Sequence, residues 1–431
     1  MPKPFRIGIA GLGTVGTGLV RIVQEHAALL DARAGRPFEI MAVSARDRKR
    51  DRGVDLSAYR WVDDAQELAS DPEIDAVVEL IGGSEGLALD IVRTALANGK
   101  HVITANKALL AHHGFELASL AEEQGVSLAY EAAVAGGIPI IKAMREGFAA
   151  NQIKAVYGIL NGTCNYILTE MRETGRSFTA VLEDAQAQGY AEADPAFDVD
   201  GIDAGHKLCL LASLAFGVKP DFDALKIKGI RHIKVEDIAY ATELGYRIKL
   251  LGIARRGDDG RIVQLMEPCL VPTGSPLGAV EGVYNAVYVE GDFVETSLLT
   301  GKGAGERPTA SAVVADVMDL ARQIRVPTFG VPAQELEQAA WAVTGETRSH
   351  YYLRLHVLDR PGVIADVSAI LRDLNISISS LMQRGRDPGQ PVPVVLLSHE
   401  TCHADMEAAC EKIAALACSV EEPCLIRIEE L

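Results

Sequence analysis

The sequence predicts an α/β chain with an N-terminal Rossmann-like, doubly wound parallel sheet. A central α+β region and a C-terminal βαββαβ unit follow. Three observations carry this. Over residues 1–150, short apolar runs alternate with helical stretches, the pattern of right-handed crossovers onto a parallel sheet. Those runs lack period-two alternation, as do strands covered on both faces. Residues 350–431 read strand, helix, two strands, helix, strand.

Taken in order, FRIGIA (5–10) is a strand, GLGTVG a turn, and an Ala/Leu/Val-rich helix runs to Leu30. FEIMAVSAR is the second strand and DAVVELIGG the third, closed by glycines. IVRTALANGKHVITANK gives a helix, a glycine stop and a strand, and GVSLAYEAAVAGG gives another strand. After residue 150 the alternation breaks. IKAVYGILNGTCNYIL reads strand, turn, helix; residues 179–187 and 203–217 read as helices. RIVQLMEPCLVP, NAVYVEG and ETSLLTGKG read as strands of a mixed sheet, and TASAVVADVMDLARQI as a helix returning to the first domain. A linker is expected at 344–350. The expected domains are 1–150 for a dinucleotide (completed by 305–340), 151–304 for catalysis and dimerisation, and 350–431 for regulation.

The 431 residues carry 42 basic and 59 acidic side chains, a net charge of −17. That argues against nonspecific binding to nucleic acid or anionic membranes, which needs a basic surface, but allows a small anion in a local basic pocket. No apolar run approaches the ~18 residues of a membrane span. The opening residues run straight into a strand, so no secretory leader is expected. The seven cysteines are scattered and form no CxxC, so they read as reduced core thiols of a cytoplasmic protein. The four in the last 30 residues match no zinc spacing.

GLGTVG (Gly11, Leu12, Gly13, Thr14, Val15, Gly16) fits a dinucleotide loop. Gly11 permits the tight turn, Gly13 lets a pyrophosphate approach the backbone, and Gly16 allows close helix–strand packing. The helix N-terminus supplies N–H donors. A glycine-rich turn of another α/β fold is the bland alternative. NAD-selective sites place an acid at the end of the second strand. Here VSARDRKR puts Arg46 there, suited to the 2′-phosphate of NADP, while Asp47 keeps NAD open.

AEADPAFDVDGIDAGHK, 191–207, gathers five acids before one lysine. Asp203 and Lys207 share a helix face at i,i+4. Asp198 is placed to cap that helix. A surface ion pair of ~0.3–0.5 kcal/mol is the bland reading. Against it, Leu208, Leu210 and Leu211 bury the helix, and Gly201 and Gly205 each cost about 1 kcal/mol relative to alanine. A close approach to the backbone would explain them.

AQGYAEADPAFDVDGIDAGHK resembles the signature of the homoserine dehydrogenase family. GLGTVG, TANKALL, YEAAVAGGIPI, LNGTCNYIL and GKGAGERPTASAVVAD are similar to that family's segments, and the tail resembles an ACT domain. The resemblance implies NAD(P)-dependent interconversion of aspartate semialdehyde and homoserine, in a form without an aspartate-kinase region ahead of the glycine loop. It implies that Lys207 is the general acid in reduction and the base in oxidation, that Asp203 holds the reacting oxygen or its water, and that Glu192 binds the substrate ammonium. Asp198 belongs to the substrate network or to the helix start alone. A free lysine titrates near ~10.4, so alkaline pH should favour oxidation.

Lys107 follows a strand end, where open α/β sheets hold ligands, and the resemblance makes it a bridge between cofactor and substrate. Gly83 and Ser84 should line the cofactor cleft, with Gly303 and Gly305 as a second glycine loop. Glu131 and the carbonyls of Val134, Gly136 and Ile138 suit a monovalent cation, and the resemblance implies sodium; a plain loop fits equally. In the tail, effector contacts are expected at Asp359, Gly362 and Asn375, with threonine the candidate effector and a homodimer or homotetramer the expected assembly. A purely structural dimerisation module is the alternative. Two other functions compete: another ACT-bearing dehydrogenase, which would lack the Glu192–Asp203–Lys207 set, and a catalytically dead amino-acid sensor.

Overall fold

A computed structural model of the chain describes residues 3–384 and 387–431. Six strands, β1 Phe5–Ala10, β2 Phe38–Ser44, β3 Arg60–Trp61, β4 Ala76–Glu79, β5 His101–Thr104 and β6 Leu128–Ala129, make a parallel sheet in the order β3-β2-β1-β4-β5-β6. The order reverses between β1 and β4, so the carboxyl ends of these two strands flank the crevice where such folds bind ligands. Apart from Arg6 and Glu79, β1 and β4 are apolar, and both are almost wholly buried, as strands covered on both faces must be. The helix Glu306–Ala321 does return to this domain. It packs so tightly on Thr14–Ala34 that a Cβ on Gly18 would lie 3.0 Å from Ala310 Cβ.

The second sheet joins β7 Ile153–Ile159, β8 Lys226–Ile227, β9 Tyr246–Arg256, β10 Ile262–Pro272, β11 Tyr284–Gly291 and β12 Thr296–Lys302 to the strands of the tail. The tail strands are β13 Arg348–Leu358, β14 Ile378–Gln383, β15 Pro391–Ser398, β16 Thr401–Cys402 and β17 Cys424–Ile428, with helices Val363–Asp373 and His403–Ala414 between them. The helix Ile202–Phe216 packs on β7 and β9, and its Leu208, Leu210 and Leu211 are buried.

The structure corrects the expected linker. β13 already begins at Arg348, and β17 pairs in parallel with β10, Cys269 opposite Arg427 and Leu270 opposite Ile428. The tail sheet therefore continues the central sheet. Two buried ion pairs fasten the seam: Arg427 Nε to Glu267 Oε1 at 2.6 Å and Arg354 Nε to Asp237 Oδ1 at 2.6 Å. The Tyr352 hydroxyl also donates to Asp237. Among the described residues all seven cysteines are free, and no helix is long and apolar enough to cross a membrane.

Candidate active site

The glycine loop ends β1. Gly11 donates its N–H to Ser44 O at 2.9 Å and has φ 108°, a backbone state that only glycine adopts freely. A Cβ there would stand 2.6 Å from Leu80 O, and one on Gly16 would collide with the Gly11 carbonyl. Beside Gly13 the space is open. The helix Thr14–Ala34 starts without a side-chain cap, so the first N–H groups, from Thr14 and Val15, remain for a ligand. Leu12 is buried and offers only its backbone.

Arg46 lies exposed just beyond β2. The residue that reaches the loop is Arg52, which sequence reasoning passed over. Its Nε donates to Leu12 O at 3.0 Å and its Nη2 to Asp47 O at 2.6 Å, with the guanidinium 5.7 Å from the Trp61 ring centre. Across the crevice, the buried Glu79 carboxylate accepts from the N–H groups of Ile81 and Gly82 and from the Thr104 hydroxyl. This fixes the turn that carries Gly83 and Ser84. Asn106 caps the next helix through Leu109 N–H and donates to Gly83 O at 2.6 Å, so the TANK segment and that turn form one wall.

Lys107, the first residue of that helix, reaches the second domain. Its Nζ lies 3.1 Å from Asp203 Oδ1, and Lys207 Nζ lies 2.7 Å from Asp203 Oδ2. Lys207 also donates to Leu160 O at 2.8 Å. Burial pushes the Asp203 carboxyl up, but the Lys207 and Lys107 charges and the hydrogen bonds from Lys207 and Asn161 outweigh it. They hold the group well below the usual carboxylate range. Asp203 is therefore ionised between two cations. An ammonium has three donors; Lys207 spends two on these bonds, leaving one for a substrate oxygen.

Asn161 was missed as a site residue. Its Oδ1 caps the helix Gly162–Thr174 through Cys164 N–H, and its Nδ2 donates to Asp203 Oδ2 at 2.9 Å and to Asp198 Oδ1 at 2.7 Å. The strand–turn–helix reading of LNGTC contained the cap signal, but not the reach to residues about 40 positions away. Asp198 does not cap the Asp203 helix; that place is taken by Gly201 at φ 86°, with no side-chain cap. Burial raises the Asp198 carboxyl above its ordinary value. Gly205 is needed for packing, since a Cβ there would lie 2.8 Å from Ile227 Cδ1. Glu192 is exposed, and among the described residues its carboxylate has no partner in the cluster. Its loop is held nearby by Gln186 Nε2, which donates to Glu192 O, and by Thr163, whose hydroxyl donates to Tyr190 O.

The second glycine loop closes on the hinge. A Cβ on Gly136 would stand 2.5 Å from Gly303 O, Gly137 donates its N–H to Lys302 O at 3.0 Å, and Gly305 takes φ 117° at the start of the returning helix. The Glu131 carboxylate accepts from the N–H groups of Ile141 and Lys142 at 3.0 and 2.9 Å, so it is engaged within the fold. Ala135 and Gly136 are both left-handed, at φ 55° and 48°, in the turn that carries Val134 and Ile138. In the tail, Asp359 Oδ2 accepts from Asp387 N–H and Gly362 begins the helix Val363–Asp373, whereas Asn375 lies past its far end. An 11-residue helix is about 16 Å long, so one chain does not bring these three together.

A glycine loop at a topological switch point, facing an ionised carboxylate held between two lysines, defines an NAD(P)-dependent oxidoreductase. The comparisons agree. The homoserine dehydrogenase NAD-binding domain matches residues 11–131, the homoserine dehydrogenase domain 139–318, and the ACT domain 351–418. Homoserine dehydrogenase of Neisseria gonorrhoeae is 46% identical over 436 residues, spanning 100% of this chain and 99% of its own length. That of Pseudomonas aeruginosa is 46% identical over 437 residues, with both chains fully spanned. The crystal structure of a homoserine dehydrogenase from Thiobacillus denitrificans superposes with a TM-score of 0.94 at 44% identity, covering 99% of each chain. The chain belongs to the homoserine dehydrogenase family, with a C-terminal ACT domain.

Proposed function

We propose that the chain carries out its family's reaction, the NAD(P)-dependent interconversion of L-aspartate 4-semialdehyde and L-homoserine, with Lys207 as the proton-transfer group. The observation that carries this is the Lys107–Asp203–Lys207 array, assembled from two domains at the mouth of the nucleotide crevice. The cofactor supplies or accepts the hydride at the carbonyl carbon. In reduction, the aldehyde oxygen gains charge as the C–H bond forms, and Lys207 gives it a proton; in oxidation, neutral Lys207 takes the hydroxyl proton. Asp203 orients both lysines and offsets their charge, and Asn161 orients Asp203 and Asp198. Lys107 sits where cofactor and substrate would meet, and Glu192 would take the substrate ammonium from the rim. The pathway it serves is the biosynthesis of threonine, methionine and isoleucine.

NADP is the preferred cofactor in this reading. Arg46, Arg48 and Arg52 surround the end of β2, and Ser44 and Ala45 stand where an NAD-selective acid would be. A monovalent cation, sodium by resemblance, would be held at the strained Ala135–Gly136 turn by Glu131 and the carbonyls of Val134, Gly136 and Ile138. The ACT domain is a site for a small-molecule effector, with threonine the candidate. Because one chain separates Asn375 from Gly362, such a site would be completed by a second subunit of a homodimer or homotetramer. The test is substrate-dependent reduction of NADP or NAD. Turnover with L-homoserine and none with L-serine, one methylene shorter, is expected. No turnover with L-homoserine and either cofactor would return the chain to the sensor reading.

A further inference from the structure

Away from the nucleotide crevice, a cavity of about 540 Å³ opens where the end of the Asp203 helix meets the start of β7, the end of β9 and the 329–331 loop. Its charged lining residues are Arg145, Lys154 and Arg256; among the described residues no carboxylate lines it. This is unusual in a chain of net charge −17. Ala155 on β7 pairs with Arg255 on β9, so the next step of the register sets Lys154 across from Arg256. Like charges opposite each other in a sheet repel, and among the described residues neither has an acidic partner. Arg256 instead donates to Phe216 O at 2.9 Å, the last carbonyl of the Asp203 helix.

Arg145 supplies the independent observation. Its side chain is 5% exposed, and Nε is buried without a hydrogen-bond partner. Nη2 reaches only Glu146, at 3.1 Å. The stem packs against Gly330, which is left-handed at φ 81°. A buried donor left unmade is costly, and Arg145 lies in a π-helical turn, Ala143–Gly147, a distortion frequent at functional sites. Phe148, Phe216 and Phe329 add an apolar wall.

We infer that this cavity is a second, anion-binding site for a small phosphate- or carboxylate-bearing molecule with an apolar body. The anion would sit between Lys154 and Arg256 and satisfy Arg145. Because the last turn of the Asp203 helix forms one wall, occupancy would bear directly on the element that carries Asp203 and Lys207.

The test is calorimetric titration of the full chain with inorganic pyrophosphate and, separately, citrate, with saturating NADP filling the nucleotide cleft. Saturable binding of at least one probe is expected, and which one binds separates phosphate from carboxylate recognition. The double variant Lys154→Gln/Arg256→Gln changes only exposed positions and should weaken binding at least tenfold. Lys412→Gln, which removes a cation from the ACT domain, should leave it unchanged. Arg145→Gln should weaken binding too, provided its circular dichroism matches wild type. No binding of either probe, less than tenfold weakening in the double variant, or equal weakening by Lys412→Gln overturns the site.

Discussion

Replacing Asp203 with asparagine keeps the shape of the side chain and removes its charge. In the wild type, Oδ2 accepts from Lys207 at 2.7 Å and Asn161 at 2.9 Å, and Oδ1 faces Lys107 at 3.1 Å. An asparagine has one acceptor oxygen. If that oxygen keeps Lys207 and Asn161, the amide N–H₂ must face the Lys107 ammonium, donor against donor. One ion pair is then lost and one charge-assisted hydrogen bond is reduced to a bond with a neutral acceptor. Hydrogen bonds to charged groups are worth ~1.5–3 kcal/mol each, so the variant gives up about 2–4 kcal/mol of the order in the array. At 1.36 kcal/mol per factor of ten, kcat/KM for homoserine oxidation should fall about 30- to 900-fold. The assay is steady-state NADP reduction, with cofactor affinity followed by nucleotide fluorescence. A kcat/KM within about fivefold of wild type would refute the argument that Asp203 organises both lysines.

Three further outcomes are expected. Arg354→Met strands the buried Asp237 carboxylate and should cost ~3–5 kcal/mol in chemical unfolding; adding Asp237→Asn should recover more than half, and a single-variant loss under ~1 kcal/mol would remove this pair from the seam. Burial first, then the Asp316 charge, pushes the Glu131 carboxyl up from 4.5 to about 7, despite the N–H groups that Lys142 and Ile141 donate to it. The folded state keeps a proton that the unfolded chain releases, so this contribution to stability is full below pH 4.5 and lost as pH rises through 7. Glu131→Gln should flatten the fall in unfolding midpoint across that window, and an unchanged slope would contradict it. Arg52→Ala removes the brace on Leu12 O and, in the proposed reading, a cation for the 2′-phosphate; it should weaken NADP(H) ~10-fold and NAD(H) less, by fluorescence titration. Unchanged NADP(H) affinity would contradict the role of this arginine.

The parts of the site that lie within one local pattern were legible in the sequence. GLGTVG announced its turn, because the same glycines that a ligand needs are required by the backbone at φ 108° and by the contact of Gly16 with Gly11. Asp203 and Lys207 were readable as one helix face, because i,i+4 spacing alone sets them together. What was not legible depends on distant pairings. Nothing near Lys107 announces that it meets Asp203, nor does LNGTC announce Asn161 as the donor to both acids. Arg52 lies just past the basic run Arg46–Arg50 and has no local signal of its own; only the fold brings its Nε to the Leu12 carbonyl of the glycine loop. The linker reading failed at TGETRSH for the same reason. A parallel pairing of β17 with β10, about 158 residues apart, leaves no local trace, so a polar segment that begins a strand looked like a tether.

The measurement that bears most directly on the proposed chemistry is the turnover number for L-homoserine oxidation at alkaline pH by Lys207→Ala beside wild type, with NADP affinity measured on both. Lys207 donates to Asp203 and Leu160 O and, among the described residues, makes no hydrogen bond to the glycine loop. The variant should therefore bind NADP as wild type does and lose at least ~100-fold in kcat. Turnover within a few-fold of wild type would reduce Asp203–Lys207 to a structural ion pair and place the proton transfer elsewhere.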